Sequence, residues 1–309
     1  MSPCAGIIGP MSKTSSFAAL LLPLAACLLA LPVPALAENV SDGERIAVDW
    51  LPGSRFEQGG LLRGQVPSGT RVWRDERELR VDGQGRFVVG LHRDAPERLR
   101  LRVQPPDGEV AERAFPIDQR EYQVQRIDGL PSSMVTPSES VLQRIGEEAA
   151  RVRSARAHDS GLESAHEGFV WPVTGPISSV YGSRRILNGE PRQPHYGIDI
   201  AAPTGRPIRA TAGGIVRMAE TDLYYTGGTV IIDHGHGLSS TYLHMSRLDV
   251  AEGDRVAQGE TIGAVGATGR VTGAHLCFRY NWFDKRLDPA LLLPEDQPAT
   301  EETAAHEPS

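Results

Sequence analysis

Five polar side chains in the last third of the chain have types and spacings suited to chemistry. His195 and Asp199 stand four apart in His195-Tyr196-Gly197-Ile198-Asp199, His244 closes the run Ser240-Thr241-Tyr242-Leu243-His244, and His275 and Cys277 flank Leu276. In extended backbone, residues two apart point to the same face. His275 and Cys277 therefore project together, and the even offset lets His195 and Asp199 converge if their segment is extended. Imidazole, carboxylate and thiolate are all zinc-ligand types, and a catalytic zinc keeps three protein ligands and leaves one position for water. The remaining two histidines could serve that water as acid and base. Each pair alone admits a plainer reading, since His-x-x-x-Asp spacing arises by chance and a buried cysteine packs as a small hydrophobe. The specific feature is the occurrence of all the pieces in one region.

That region must supply strands. From Phe169 to about Leu293 it is rich in glycine, and Thr229-Val230-Ile231-Ile232-Asp233 and Ser240 to His244 read as strands joined by a turn at Gly235–Gly237. Val250 to Val265 reads as a hairpin punctuated by Gly253, Gly259 and Gly263. His234 and His236 flank Gly235 and are expected to be structural or solvated. Tyr181, Tyr196, Tyr224 and Tyr225 lie near the motifs, either as walls of a groove or as packing.

Upstream, residues 48–118 carry turn signals at short intervals, among them Pro52-Gly53, Asp82-Gly83 and Asp107-Gly108. Leu99, Leu101 and Val103 alternate with Arg98, Arg100 and Arg102, the pattern of a half-buried strand. A small β-sandwich without a catalytic constellation is the expectation, with His92 a solvated strand-end residue. Residues 136–157 read as a linking helix: Thr136-Pro137-Ser138-Glu139 offers a capping box, and Leu142, Ile145, Ala149 and Val152 form an apolar stripe. His158 to Gly168 reads as a polar linker with His158 and His166 in solvent, and 295–309 as a disordered acidic tail.

The chain has 309 residues, 40% of them hydrophobic and 23% charged, with a net charge of −7. This is ordinary globular composition, and the charge gives no reason to bind nucleic acid. Phe17 to Leu31 is apolar with Lys13 before it, and Ala35-Leu36-Ala37 has the small-x-small form of a signal peptidase site. Residues 1–37 are thus expected to be a signal peptide. The alternative is lipid anchoring through Cys27, where Leu24-Ala25-Ala26-Cys27 resembles a lipobox. Either way the protein is exported, with no transmembrane span after cleavage. Of three cysteines, Cys277 alone lies beyond the signal, so no internal disulfide forms.

The residues from Trp171 to Leu293 resemble the lysostaphin-type, LytM-like zinc metalloendopeptidases. The resemblance rests on Trp171-Pro172-Val173, His195 to Asp199, Tyr242-Leu243-His244-Met245-Ser246, Val250 to Gly266, and Gly269 through Phe278. It implies a mainly β chain whose residues 169–293 form a compact antiparallel metallopeptidase domain of the duplicated-hybrid-motif or barrel-sandwich type, with an open groove. It implies Zn²⁺ as cofactor, His195 and Asp199 as ligands, and His244 and His275 as catalytic histidines. Cys277 departs from the pattern, because the family usually places histidine there as third ligand. Cysteine also ligates zinc, but it makes the site less positive and so less able to acidify water. The implied function is hydrolysis of peptidoglycan peptides in the periplasm of a Gram-negative bacterium. The alternative is a non-catalytic regulator that activates a cell-wall amidase or meets a division protein. A lipoyl- or biotin-type carrier fails, because 250–265 contains no lysine.

Overall fold

The computed structural model describes residues 47–127 and 138–298. The expected signal segment with Cys27, the residues Thr136 and Pro137, and the tail beyond Pro298 lie outside the described residues. The fold is mainly β. No helix among the described residues is long and apolar enough to cross a membrane.

Seven strands come first: β1 (Asp49–Trp50), β2 (Leu61–Gln65), β3 (Arg71–Arg74), β4 (Arg77–Leu79), β5 (Arg86–Gly90), β6 (Arg98–Gln104) and β7 (Ala111–Pro116). They form two antiparallel sheets, ordered β1-β2-β5 and β4-β3-β6-β7. The alternation on β6 decides which face turns inward. Leu99, Leu101 and Val103 are buried with Leu61, Leu62, Val72 and Phe87, while the three arginines between them stay in water. Contrary to expectation, His92 is half-buried; Asp94 N–H donates to its Nδ1 (3.2 Å), and its ring lies 5.8 Å from that of Tyr196.

A connecting segment follows, with β8 (Val124–Ile127) and α1 (Glu139–Arg156). The N-cap of α1 is Ser138, which makes no side-chain capping bond, so the expected capping box does not start this helix. The expected stripe is also shifted. Leu142 is exposed, and the helix packs through Val152 and Ala155 on Met218, Leu223 and Ile231. Charge holds the rest of the helix: Arg144 pairs with Glu148 (2.6 Å) and Asp222 (3.1 Å), and Arg151 pairs with Glu220.

The remaining strands are β9 (Ile177–Ser179), β10 (Arg184–Leu187), β11 (Glu190–Arg192), β12 (Ile198–Ala201), β13 (Pro207–Arg209), β14 (Gly214–Leu223), β15 (Gly227–Gly235), β16 (Leu238–Met245), β17 (Arg247–Leu248), β18 (Arg255–Val256), β19 (Thr261–Ala264), β20 (His275–Trp282) and β21 (Lys285–Leu287). The large sheet runs β18-β14-β15-β16-β20-β12-β9, with β21 on β20. A small sheet, β13-β19-β17, accompanies it. The segment Val250–Val265 is therefore not one hairpin. Gly253 and Gly259, at φ of +95° and +79°, turn the chain so that β18 joins the large sheet and β19 the small one. The beginning of the tail is also ordered, since the Gln297 amide exchanges two hydrogen bonds with the Gly175 backbone (2.8 and 3.0 Å).

The core is continuous between the N-terminal sheets and the large sheet, because the cluster that holds Phe87 and Leu101 also holds Phe278, Tyr280, Trp282 and Leu287. Gly90 on β5 marks the seam: a Cβ there would lie 2.4 Å from Trp282 Cβ. Gly90→Ala should therefore cost about 1–3 kcal/mol of stability through overpacking. Chemical denaturation should show that loss in a single cooperative transition for the described body, because one core joins its parts.

Candidate metal centre

Period-two alternation on β20 builds the site. Leu276, Phe278 and Tyr280 enter the core, so His275, Cys277, Arg279 and Asn281 share the opposite face. Antiparallel register then sets Asp199 of β12 directly across from Cys277, and Ala201 across from His275. His195 lies three residues before β12 and is fixed by its own backbone, donating to Ser183 O (3.0 Å) and accepting from Gly182 N (2.7 Å).

The result is a convergence of three donors. His195 Nε2 lies 3.2 Å from Asp199 Oδ1 and 3.5 Å from Cys277 Sγ. All three ligand atoms fall within 4.8 Å of one another. With metal–ligand lengths of about 2.0–2.1 Å for N and O and 2.3 Å for S, a tetrahedral zinc has edges of roughly 3.3 Å (N···O) and roughly 3.6 Å (N···S). The 3.2 and 3.5 Å edges match these, so the residues fit a zinc ion. The other nitrogen of His195, Nδ1, is hydrogen-bonded to Ser179 Oγ (3.0 Å), which orients the ring.

His244 and His275 stand beside this cluster. Their ring centroids are 4.9 Å apart, and His275 Nε2 is 3.8 Å from Asp199 Oδ1. Each ring's Nδ1 meets a backbone carbonyl, Thr268 O for His244 and Gly273 O for His275, both at 2.9 Å. A carbonyl only accepts, so Nδ1 carries the proton and Nε2 is the basic nitrogen. His244 has a φ of +65°, uncommon for a residue with a side chain. The cause is a bulge: β15 and β16 pair Gly228 with Met245 but Val230 with Tyr242, so Leu243 and His244 together oppose Thr229.

The electrostatics favour an ionised Asp199. Burial opposes charge on Asp199, but the hydrogen bond and charge of His195, with Cys277 and His275, together outweigh this and hold the carboxyl well below the usual range. Burial likewise opposes charge on His195, and contact with Asp199 and Cys277 raises its pKa regardless.

Sequence reasoning did not single out the surroundings. Arg279 Nη2 lies 3.5 Å from Cys277 Sγ. Its place two residues on, on the same strand face, was the signal. Arg156 has no such signal, because it arrives from α1. Ile231, Thr241 and Arg279 are cross-strand neighbours, so α1, which packs on Ile231, covers the sheet face that carries the site. Burial and the nearness of Arg286 and Arg279 hold Arg156 well below the ordinary guanidinium value. Burial and Arg279 push Arg286 down to about 10. Arginine keeps its proton, so this is repulsion that an anion would relieve. On the same face Ser239 Oγ, Thr241 Oγ1, Asn281 Nδ2, Arg279 Nε and Arg156 Nε are buried without a hydrogen-bond partner.

The remaining motif residues divide. Tyr181 is buried, and its hydroxyl donates to Arg286 O (2.8 Å). Tyr224 and Tyr225 meet edge to face with ring centroids 4.9 Å apart. His234 is fully buried between Gly213 O (2.8 Å) and Ser240 Oγ (2.7 Å), a structural role. His166, expected in solvent, is instead half-buried against His236 at 4.5 Å between centroids.

A family model described as peptidase family M23 matches residues 193–289, the stretch that holds every donor above. The chain carries an M23 peptidase domain. Among curated relatives, the cell division protein DipM of Caulobacter vibrioides is 33% identical over 166 residues, covering 52% of this chain and 26% of that protein. The peptidoglycan DD-endopeptidase ShyA of Vibrio cholerae is 42% identical over 123 residues, covering 38% of this chain and 28% of that protein. The match thus spans about a quarter of the length of either relative. A solved Pseudomonas aeruginosa structure assigned to peptidase M23 is 29% identical with a TM-score of 0.62, covering 77% of this chain and 95% of that one. That coverage exceeds the M23 domain alone.

Ser179 of β9 supports His195 through Nδ1, the ring nitrogen that is not part of the donor cluster. Ser179→Ala should weaken metal affinity by about 10–100-fold, the usual effect of removing such a partner. Equilibrium dialysis against Zn²⁺ checks this. Because the raised pKa keeps His195 protonated to higher pH, the proton competes with metal, and affinity should fall as the pH drops.

Proposed function

We propose that the protein is an exported zinc metalloendopeptidase that hydrolyses peptide cross-links or stem peptides of peptidoglycan during cell-wall remodelling. The periplasm of a Gram-negative bacterium is its place, on the reading of residues 1–37 as a signal. The observation that carries the proposal is the convergence of His195, Asp199 and Cys277 beside the His244–His275 pair. Those three residues would hold the ion. When bound, zinc supplies Lewis acidity to a peptide carbonyl and makes water acidic enough to attack near neutral pH.

The chain supplies the rest. The basic Nε2 atoms of His244 and His275 can take the proton from the attacking water and return it to the leaving amine. The carboxylate and thiolate bring two negative charges to the ion, where a carboxylate and two imidazoles would bring one. Arg279, 3.5 Å from the sulfur, offsets part of that excess. Arg156, Arg279 and Arg286 give the groove a counter-charge for the free carboxylates of a peptidoglycan peptide, and the unpartnered hydroxyls and amide beside them suit a peptide backbone.

The second reading is a non-catalytic regulator that activates a cell-wall amidase. Two observations favour it: cysteine stands where the family usually has histidine, and α1 lies over the site face. Similarity to a protein named for cell division is compatible with it. Incubation of the zinc-loaded chain with purified muropeptides separates the two. New amine termini at a rate set by enzyme concentration support the peptidase, while no cleavage together with stimulation of an amidase supports the regulator.

His195→Ala should lose both the metal of this centre and cleavage. His244→Ala should keep its metal and lose about 10²–10⁴-fold in rate, the usual share of a general acid or base. Equal metal loss in both would overturn the division of roles. Cys277, the one thiol past the signal, should resist alkylation in the zinc-loaded chain and react after chelation. Equal reactivity in both states would remove it from the ligand set.

A further inference from the structure

A second donor cluster lies at the other end of β16. Asp82, His166 and His236 each bring a ligand atom within 4.8 Å of the others. They come from three parts of the chain: the turn before β5, the single helical turn Ser164–His166 in the connecting segment, and the turn between β15 and β16. His236 and His244 are eight residues apart, about 26 Å along a strand. The cluster is therefore separate from the centre described above. We propose that Asp82, His166 and His236 form a second, structural zinc site that clamps the N-terminal sheets and the connecting segment onto the M23 domain.

Each donor is arranged for the task. His236 Nδ1 meets Arg80 O at 3.2 Å. The carbonyl only accepts, so Nδ1 carries the proton and Nε2 keeps the lone pair, the usual outer-shell arrangement of a metal-bound imidazole. The residue is held at φ +52°, a strained conformation for histidine. Its N–H donates to Ser160 O (3.0 Å), and its carbonyl accepts from Trp282 Nε1 (3.1 Å). It is only 3% exposed.

His166 supplies the independent observation. Both of its ring nitrogens are buried, and neither has a hydrogen-bond partner. An imidazole left this way forfeits the full solvation of two polar atoms, and a metal would satisfy one of them. Burial, with His236 adding to it, lowers its pKa to about 4, and burial lowers that of His236 as well. Both rings are thus neutral lone-pair donors at neutral pH.

Asp82 is held but not saturated. Oδ1 accepts from the N–H groups of Gln84 and Arg86 (both 2.8 Å), and Oδ2 accepts from Arg86 Nε (2.7 Å). Each carboxylate oxygen has two lone pairs, so Oδ2 keeps one for a cation. The positive charge of Arg86 is balanced by Glu163, 3.2 Å away. Two imidazoles and a carboxylate with room for water make a zinc-type set. Closing the donors to tetrahedral edges asks for movement of about 1.5 Å at most, which the short turn at His166 can supply.

The test uses the whole chain and needs no turnover. Chelator-stripped protein is titrated with Zn²⁺, and bound metal is measured by mass spectrometry after buffer exchange. Wild type should bind two equivalents. The variant His195→Ala with Cys277→Ser lacks the other centre and should keep one. That equivalent should raise its Tm by roughly 5–10 °C at a hundredfold excess over Kd. Adding His166→Ala should abolish both the equivalent and the shift, and Asp82→Asn should weaken them. His236→Gln repeats the test at a third position should one variant fail to fold. The proposal is overturned if the His195→Ala/Cys277→Ser variant, folded by its melt, binds no zinc. It is equally overturned if the remaining equivalent survives in the His166→Ala and His236→Gln variants. Neither result depends on whether the first centre is catalytic.

Discussion

The pairing of β12 with β20 is the constraint on which the candidate centre rests. Every second residue of β20, Leu276, Phe278 and Tyr280, is committed to the core, and that commitment leaves the strand no freedom of register. A slip of one residue would carry His275 and Cys277 inward and three large apolar side chains outward. Burial of the apolar half thus fixes the polar half, and Asp199 faces Cys277 across the ladder without any need for attraction between them. The donor distances follow from packing, and two of them lie close to the edges of a tetrahedral zinc site.

The same face carries an excess of positive charge and unpaired polar atoms. Protein interiors satisfy most buried polar groups, so five in one row form a local exception. They sit where α1 crosses the sheet, next to the three donors, and Arg279 and Arg286 converge there on the buried Arg156. A floor built this way is poorly suited to permanent burial and well suited to a ligand with carboxylates and amides. The helix that covers it packs through Val152 and Ala155 and is otherwise held by surface ion pairs, which contribute little each.

How much of this was legible in the sequence follows from the range of the interactions. Local alternation named the faces of β6 and β20, including the shared face of His275 and Cys277, whereas His195, Asp199 and His244 were joined to them by the resemblance of their motifs to the zinc metalloendopeptidases. The strands of Val250–Val265 were misassigned as a hairpin because glycine turns announce a change of direction and not which sheet receives the next strand. The stripe of α1 was misplaced because periodicity reports an apolar face, while the tertiary partner, here the short patch of Met218, Leu223 and Ile231, decides which turns of the helix use it. Ser179 and Arg156 reach the site from far along the chain, and no local pattern marks either. His166 was set aside for its polar neighbours, since a polar segment reads as solvated until a partner such as His236 closes over it.

β16 connects these observations. At one end a bulge turns His244 toward the first donor cluster, and at the other a run of three left-handed residues, Gly235, His236 and Gly237, turns an imidazole toward the N-terminal sheets. Gly235 accepts this conformation because it has no Cβ, and a Cβ there would also lie 1.9 Å from Leu162 O, in the connecting segment. The backbone of that turn is therefore shaped by what packs on it, and the strand is rigid between its two ends because its side chains are buried throughout. A displacement of the connecting segment at Leu162 and His166 would act on one end of the strand whose other end holds His244. Since α1 leads directly into that segment, the elements that cover the site face and the elements that grip the far end of its central strand are one continuous piece of chain.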